Sequence, residues 1–367
     1  MVQALRVEGT EGNMTTQDPI SSEPGNARRS RAASPAPGCA GANIDFQPIA
    51  ALRDHDVAPA GTVLAGRYRV EKVLGTGGMG IVVTPQDLRS GERVAIKYLQ
   101  ADATDDAEAM ARFAREARAT AGAASDHVPR TLGTGRLEDG APYLAMECLE
   151  GTDLRTYLMF VGPLAPEPAC ALALQICEAL AAAHAAGIIH RDIKPKNLFV
   201  TRAPDGTTHV MLLDFGISKV MTDPDGIPLT QPRMILGSPL YMSPEQMLST
   251  RDVDCRADIW SVGVVLYEML TGRVPFLAGS VKELCGAVIG GKVPPAPFLP
   301  GEAPEALQGA VFRCLSHRPT DRFATVGDLA RALAPFAGSE GRASAERISR
   351  IADRAALEST IKGGRTH

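Results

Sequence analysis

The sequence has no C-x-x-C pair, no large charge surplus and no unbroken apolar run long enough to fill a bilayer. Each of these gaps removes a class of function. The seven cysteines (Cys39, Cys148, Cys170, Cys177, Cys255, Cys285, Cys314) are odd in number and widely scattered. That argues against a zinc centre or a disulfide framework and for reduced thiols in the cytoplasm. A net charge of −4 over 367 residues offers no field for nucleic acid or an anionic membrane. The N-terminus has no apolar signal core, and the Ala-rich stretch 169–189 is interrupted by Gln175, Glu178 and His184. It therefore reads as a packed helix and not as a membrane span. The expectation is a cytoplasmic protein with neither nucleic acid nor a membrane span, long enough for one large domain or two lobes.

What is present centres on His190-Arg191-Asp192-Ile193-Lys194-Pro195-Lys196-Asn197, followed by Leu213-Asp214-Phe215-Gly216. One carboxylate here can accept a proton, while an amide and a second carboxylate can hold a hard cation. Short apolar runs at 198–200 and 209–213, with Pro204-Asp205-Gly206 as a turn, predict a hairpin that returns Asp214 to Asn197. The Ala- and Leu-rich pattern over 169–186 predicts a helix, ended by Gly187, that delivers the chain into this stretch.

Upstream, residues 68–74 alternate as a strand and run into Gly75-Thr76-Gly77-Gly78-Met79-Gly80. Glycines let backbone N–H groups approach phosphates closely. Alone, a G-x-G-x-x-G could equally mark a dinucleotide turn, but here a second strand follows and not a helix. Pro85 lies in that second strand, where it demands an edge or a bulge. Val94-Ala95-Ile96-Lys97 ends an apolar strand in a cation that needs an anionic partner. The helical pattern 105–121 offers Glu108 and Glu116. Residues 142–151 read as a buried strand opening into a glycine-containing link. Residues 1–60, rich in Gly, Pro, Ser, Thr and Ala with few aromatics, are expected to be disordered. Their Arg28-Arg29-Ser30-Arg31 run reads as a solvated basic linker, with self-phosphorylation or docking as the sharper alternative.

With H-R-D-x-x-x-x-N, D-F-G, the glycine loop and V-A-I-K in this order, the chain resembles the protein kinase family. Lys194, the Gly-Met-Gly loop, the R-F-x-R-E-A-R helix and S-P-E-Q look most like bacterial serine/threonine kinases of the eukaryotic type. The resemblance implies an α+β, bilobal fold over 68–336. A small β-rich N-lobe with one main helix would occupy 68–150, a larger, mainly helical C-lobe 151–336, and a short trailing helix would lie within 337–367.

It also implies transfer of the ATP γ-phosphate, with Mg²⁺, to Ser or Thr hydroxyls of protein substrates, with transient self-association for autophosphorylation. Asp192 would take or orient the hydroxyl proton, and Lys194 would steady the γ-phosphate. Asn197 and Asp214 would hold the metal, while Lys97, paired with Glu116, would position the nucleotide under the 75–80 loop. Val82 and Ala95 would roof the adenine, with Met146, Glu147 and Leu149 at the hinge. Gly237-Ser238-Pro239-Leu240-Tyr241-Met242-Ser243-Pro244-Glu245 resembles the end of an activation segment. Asp258-Ile259-Trp260-Ser261-Val262-Gly263 resembles a buried helix start that anchors the catalytic loop. Glu245 would pair with Arg322, and Arg191 would meet a phosphorylated hydroxyl, with Thr230 first and Thr222 and Ser238 behind it. A catalytically inactive kinase-fold scaffold is the alternative, although none of its usual marks, the loss of lysine, base or metal ligand, is present.

Overall fold

The computed structural model describes residues 57–363 apart from 78–79, 101–102, 124, 204–205, 216–237, 249–252 and 292–302. The disorder expected up to residue 56 and the roles expected of Gly78, Met79, Thr222 and Thr230 lie outside the described residues, as does the side chain of Ser238.

Six strands form the first sheet: β1 (Val63–Leu64), β2 (Tyr68–Gly77), β3 (Gly80–Asp87), β4 (Val94–Tyr98), β5 (Thr131–Arg136) and β6 (Pro142–Glu147). All pair antiparallel, in the order β1-β2-β3-β4-β6-β5. Structure therefore starts ahead of Tyr68, because β1, too short to show alternation, pairs Leu64 with Tyr68. Pro85 faces Val70 beside a register shift between Val70 and Lys72, and β4 pairs with β3 only at Ile81, Val82 and Val83. The missing proline donor thus falls next to a bulge, where it breaks no central ladder. Gly80 takes φ 130° at the start of β3, and a Cβ there would run into the Tyr98 carbonyl. Only glycine lets β3 approach the end of β4 so closely.

One long helix, α1 (Ala107–Gly122), follows β4, its free N–H groups capped by the Asp106 side chain. Past β6 the chain becomes mainly helical: β7 (Thr152–Asp153), α2 (Leu154–Val161), α3 (Pro166–Ala185), the hairpin β8 (Leu198–Arg202) and β9 (Thr208–Leu212), α4 (Pro244–Leu248), α5 (Arg256–Thr271), α6 (Val281–Ile289), α7 (Glu305–Cys314), α8 (Val326–Leu333) and α9 (Gly341–Gly363). The result is the expected α+β, two-lobed arrangement.

Helix α3 starts on Pro166, where a missing N–H costs nothing, and stops where Gly187 adopts φ 73°. It is apolar and long enough to cross a membrane, yet 61% of that window is buried inside the protein. Its Leu172, Ile176 and Leu180 join Ile259, Val262 and Leu266 of α5 in one core.

The sequence places the end of the fold near Phe336 with a short helix after it. Instead α9 runs for 23 residues and packs against α3 and α8, burying Ala345 and Ile348 in the main core. Its apolar stripe is narrow and interrupted by arginines, so its partner faces are visible only once α3 and α8 are assembled.

Candidate active site

The register of the first sheet puts one set of side chains on one face. Val82 pairs with Lys97, Lys97 with Leu144, and Ala95 with Met146. Side chains opposite each other, and at i and i+2 along a strand, share a face. Val82, Ala95, Lys97, Leu144 and Met146 therefore line the same surface. Helix α1 docks on it through Met110, Phe113 and Ala117 against Leu99, Leu144 and Met146. That contact places Glu116 on the strand side of α1, whereas Glu108, more than two turns earlier, is tied up with Arg112 at the surface. The backbone of Glu147 donates to the Arg130 carbonyl (3.0 Å), and its carboxylate accepts from the Arg130 N–H (2.8 Å), so β6 enters the link to the second lobe fixed at both groups. Leu149 lies in that link, and Gly75 and Thr76 pair with Val82 and Ile81 in the glycine loop.

Lys97 is 5% exposed, and its Nζ lies 2.5 Å from Glu116 Oε1 and 2.7 Å from Asp214 Oδ1. Burial alone would strip the proton from Lys97, but the Asp214 and Glu116 charges outweigh it and raise the ammonium above its usual range. Burial would likewise raise Asp214; the Lys97 charge prevails and holds its carboxyl low. Glu116 moves the other way, pushed up by burial and by the Asp214 charge against the pull of Lys97. One cation thus serves two carboxylates, and the Asp214 side chain keeps 52% of its surface open on the outer side.

The second cluster sits on the 190–197 stretch. Lys194 Nζ donates to both Asp192 oxygens, at 2.9 and 2.7 Å, and Asn197 Nδ2 donates to the Asp192 carbonyl at 2.9 Å and to Oδ2 at 3.0 Å. The two clusters are stitched together by the hairpin, since Leu213 N–H donates to the Asn197 carbonyl at 2.8 Å. Asp214 thereby arrives beside the loop, as the spacing of the two motifs requires.

What holds the loop is Asp258, fully buried in the first turn of α5. It accepts from Arg191 N at 2.8 Å and from His190 N at 2.9 Å, and it meets His184 Nε2 at 2.7 Å. Burial opposes the Asp258 charge, and the His184 contact together with the loop N–H groups overcomes it, so the carboxyl stays below its usual value. His190 is buried, driven towards its neutral form, and reaches the Leu213 carbonyl at 3.1 Å. Arg191 and Asp214 stand at φ 64° and 51°, a left-handed backbone that non-glycine residues adopt only when neighbouring bonds enforce it.

Glu245 and Arg322 meet in a two-pronged pair, Nη1 to Oε1 at 2.7 Å and Nη2 to Oε2 at 2.8 Å. Arg322 has no exposed side-chain surface; it also donates to the carbonyls of Ser316, Arg256 and His317 and lies over the Trp260 ring at 5.0 Å.

Two contributors escape the sequence reading. Gln246 donates to the Arg191 carbonyl at 2.9 Å, and its only linear signal is its place after S-P-E. His184 shows there merely as a polar break in an apolar helix. The guanidinium of Arg191 lies 3.5 Å from the Val253 carbonyl.

Residues 68–329 match the model of the protein kinase domain. The chain is 37% identical over 287 residues to serine/threonine-protein kinase Pkn1 of Myxococcus xanthus, covering 78% of this chain and 40% of that protein. It is 36% identical over 296 residues to serine/threonine-protein kinase PknD of Mycobacterium tuberculosis, covering 80% and 43% respectively. The chain therefore spans less than half the length of these curated relatives. The crystal structure of the Mycobacterium tuberculosis PknI kinase domain superposes with a TM-score of 0.57 at 26% identity, over 76% of this chain and 99% of that one. By family match, by relatives and by architecture, this chain belongs to the protein kinase domain family.

Proposed function

We propose that this chain is an active serine/threonine protein kinase that uses ATP and Mg²⁺. The observation that carries the reading is the buried Lys97 bonded at once to Glu116 and Asp214, next to an Asp192 held by Lys194 and Asn197. An inactive scaffold has no need to keep a buried lysine between two carboxylates, because burying that charge is costly unless it is paired.

The donor set suits a hard cation shared with phosphate. Asp214 retains an open outer side, and Asn197 spends its amide N–H₂ on Asp192, which leaves the carboxamide oxygen as the ligand atom. Mg²⁺ is bound through one or two carboxylates plus phosphate oxygens and water, not by an all-protein cage. When bound, the ion would neutralise charge that develops on the transferred phosphoryl group. Lys97 supplies a fixed cation for the nucleotide phosphates, and Glu116 fixes its direction. Val82, Ala95 and Met146 provide an apolar surface for the base, continuous with the hinge at Glu147 and Leu149. Asp192 receives the acceptor proton at a carboxylate whose orientation is set by three donated hydrogen bonds. Lys194, bridging that carboxylate, stands where it can follow the phosphoryl group to the acceptor. Arg191 as a reader of phosphate on Thr230, Thr222 or Ser238, and transient self-association to place it there, belong to the same proposal.

The test is incubation of the full chain with labelled ATP, Mg²⁺ and a general protein substrate, beside Asp192→Asn. Labelling should fall by about 10²- to 10⁴-fold in the variant, the usual contribution of a positioned base. Equal labelling of both proteins would defeat the role given to Asp192, and labelling of neither would favour the scaffold.

A further inference from the structure

The outward side of α9 carries four charges that the fold does not use. Arg342, Glu346, Arg350 and Asp353 are all exposed, and their side chains make no hydrogen bond or ion pair among the described residues. At about 100° of turn per residue they fall within an arc of about 80°, a straight stripe about 16 Å long. Ile348 points almost the opposite way, into the core shared with α3 and α8. Opposite charges three or four positions apart on one helix face commonly close on each other. Arg331 does so with Asp328 on α8 at 2.6 Å, and Arg112 with Glu108 on α1 at 2.7 Å. Arg342, Glu346 and Arg350 stand at the same spacing and stay open.

The stripe also borders a groove of about 1000 Å³ between α9 and the end of α8. Arg331 of α8 sets the width of this groove by donating to Ser349 Oγ of α9 at 2.7 Å. Ala334, Pro335 and Ala345 line it with small apolar surface. How closely two helices approach depends on the side chains at their contact, and small ones admit the shorter distances.

Read from its N-terminal end the stripe runs plus, minus, plus, minus; read from its C-terminal end it runs minus, plus, minus, plus. It is therefore complementary to its own reverse. A two-fold axis crossing α9 near Ile348 sets Arg342 against the partner's Asp353 and Glu346 against the partner's Arg350, and the symmetry repeats both pairs. A parallel two-fold arrangement would set every charge against its like.

We infer that α9 is a self-association surface, on which two copies of this chain pair antiparallel along the 342–353 stripe. The pairing is read from charge and packing alone; it rests on the kinase function proposed above only for its use, which is to bring together two copies that phosphorylate each other. Exposed ion pairs beside a small apolar floor make a weak, transient contact that salt loosens.

The test is sedimentation velocity of the full chain at concentrations up to about 1 mM, at low and at high ionic strength. The wild type should pass from monomer to dimer as concentration rises, and salt should weaken the step. Arg342→Glu or Asp353→Arg turns two symmetry-related attractions into repulsions. At about two- to fivefold per exposed pair, each variant should raise the dissociation constant about four- to 25-fold. Two further arms separate pairing from folding. The double variant Arg342→Glu with Asp353→Arg should recover the wild-type constant, and an equimolar mixture of the two single variants should dimerise more tightly than either alone. A wild type that stays monomeric throughout, a dimer unmoved by both single reversals, or a mixture no tighter than its components overturns the surface. Phosphoryl transfer is read on the same samples. A dimer without transfer refutes the kinase reading alone, and transfer by a chain that never dimerises refutes the surface alone.

Discussion

Replacing Asp258 by Asn changes almost no volume but removes an acceptor that three donors share. Its Oδ1 accepts from Arg191 N–H, while Oδ2 accepts from His190 N–H and meets His184. In the variant the amide oxygen can serve the Oδ2 side, which sets the –NH₂ group against the Arg191 N–H. Hydrogen bonds to charged groups contribute about 1.5–3 kcal/mol, and a buried donor left unsatisfied costs about 1–3 kcal/mol. These figures overlap, and a net loss of about 2–4 kcal/mol follows. At about 2–4 °C per kcal/mol for a domain of this size, Tm should drop by about 4–16 °C.

Activity should suffer beyond this, because the released N–H belongs to the residue before Asp192. Misplacing a catalytic group by about 1 Å can cost on the order of 10²-fold in rate. Thermal unfolding by circular dichroism and kcat for phosphoryl transfer, measured well below Tm, separate the two effects. The Asp258 carboxyl is held low in the folded state, so its contribution is present above the ordinary carboxyl range and is lost as pH falls through the folded value. The stability gap between wild type and variant should therefore close in acid. A Tm within about 2 °C of wild type and a kcat within about threefold would refute this account of the anchor, since both lie far below the losses derived above.

Glu245→Ala leaves the fully buried Arg322 without its anion and should cost about 3–5 kcal/mol in chemical denaturation. The double replacement Glu245→Leu with Arg322→Met should recover much of that loss, and a silent single variant would show that the pair does not matter to stability. His127, whose Nδ1 lies 2.9 Å from the Val210 carbonyl and whose ring stacks on His209 at 4.4 Å, is driven towards its neutral form by burial. Its stabilising contribution is present above about pH 6.5, the free-histidine value, and is lost as pH falls through the lower folded value. His127→Asn should flatten the decline in stability between about pH 7 and pH 5, and an unchanged slope would assign that decline elsewhere.

The groups to which we assign the chemistry were legible in the sequence because each sits in a short, ordered string. Lys97 ends an apolar strand, Asp192 and Asn197 share one loop, and a turn between two apolar runs announced the hairpin that returns Asp214. Glu116 could be preferred over Glu108 only by resemblance, and the packing of α1 now supplies the reason, since Phe113 and Ala117 face Leu144 and carry Glu116 inward with them. The Lys97–Asp214 bond spans 117 positions, and no periodicity encodes a polar contact of that reach. His184 was hidden for a related reason: a histidine in an Ala-rich helix reads as an interruption until α5 brings a buried carboxylate to it.

Helix α9 bears on where this protein can be cut. The family match stops at residue 329, inside α8, yet the apolar cover of α3 continues through Ala345 and Ile348 of α9. A chain trimmed to the region of resemblance would lose half of α8 and uncover the flank of the helix that leads into the catalytic loop. Apolar surface wetted there would weaken the very floor on which Asp192 stands. The folded unit is therefore longer than the span that the family model recognises.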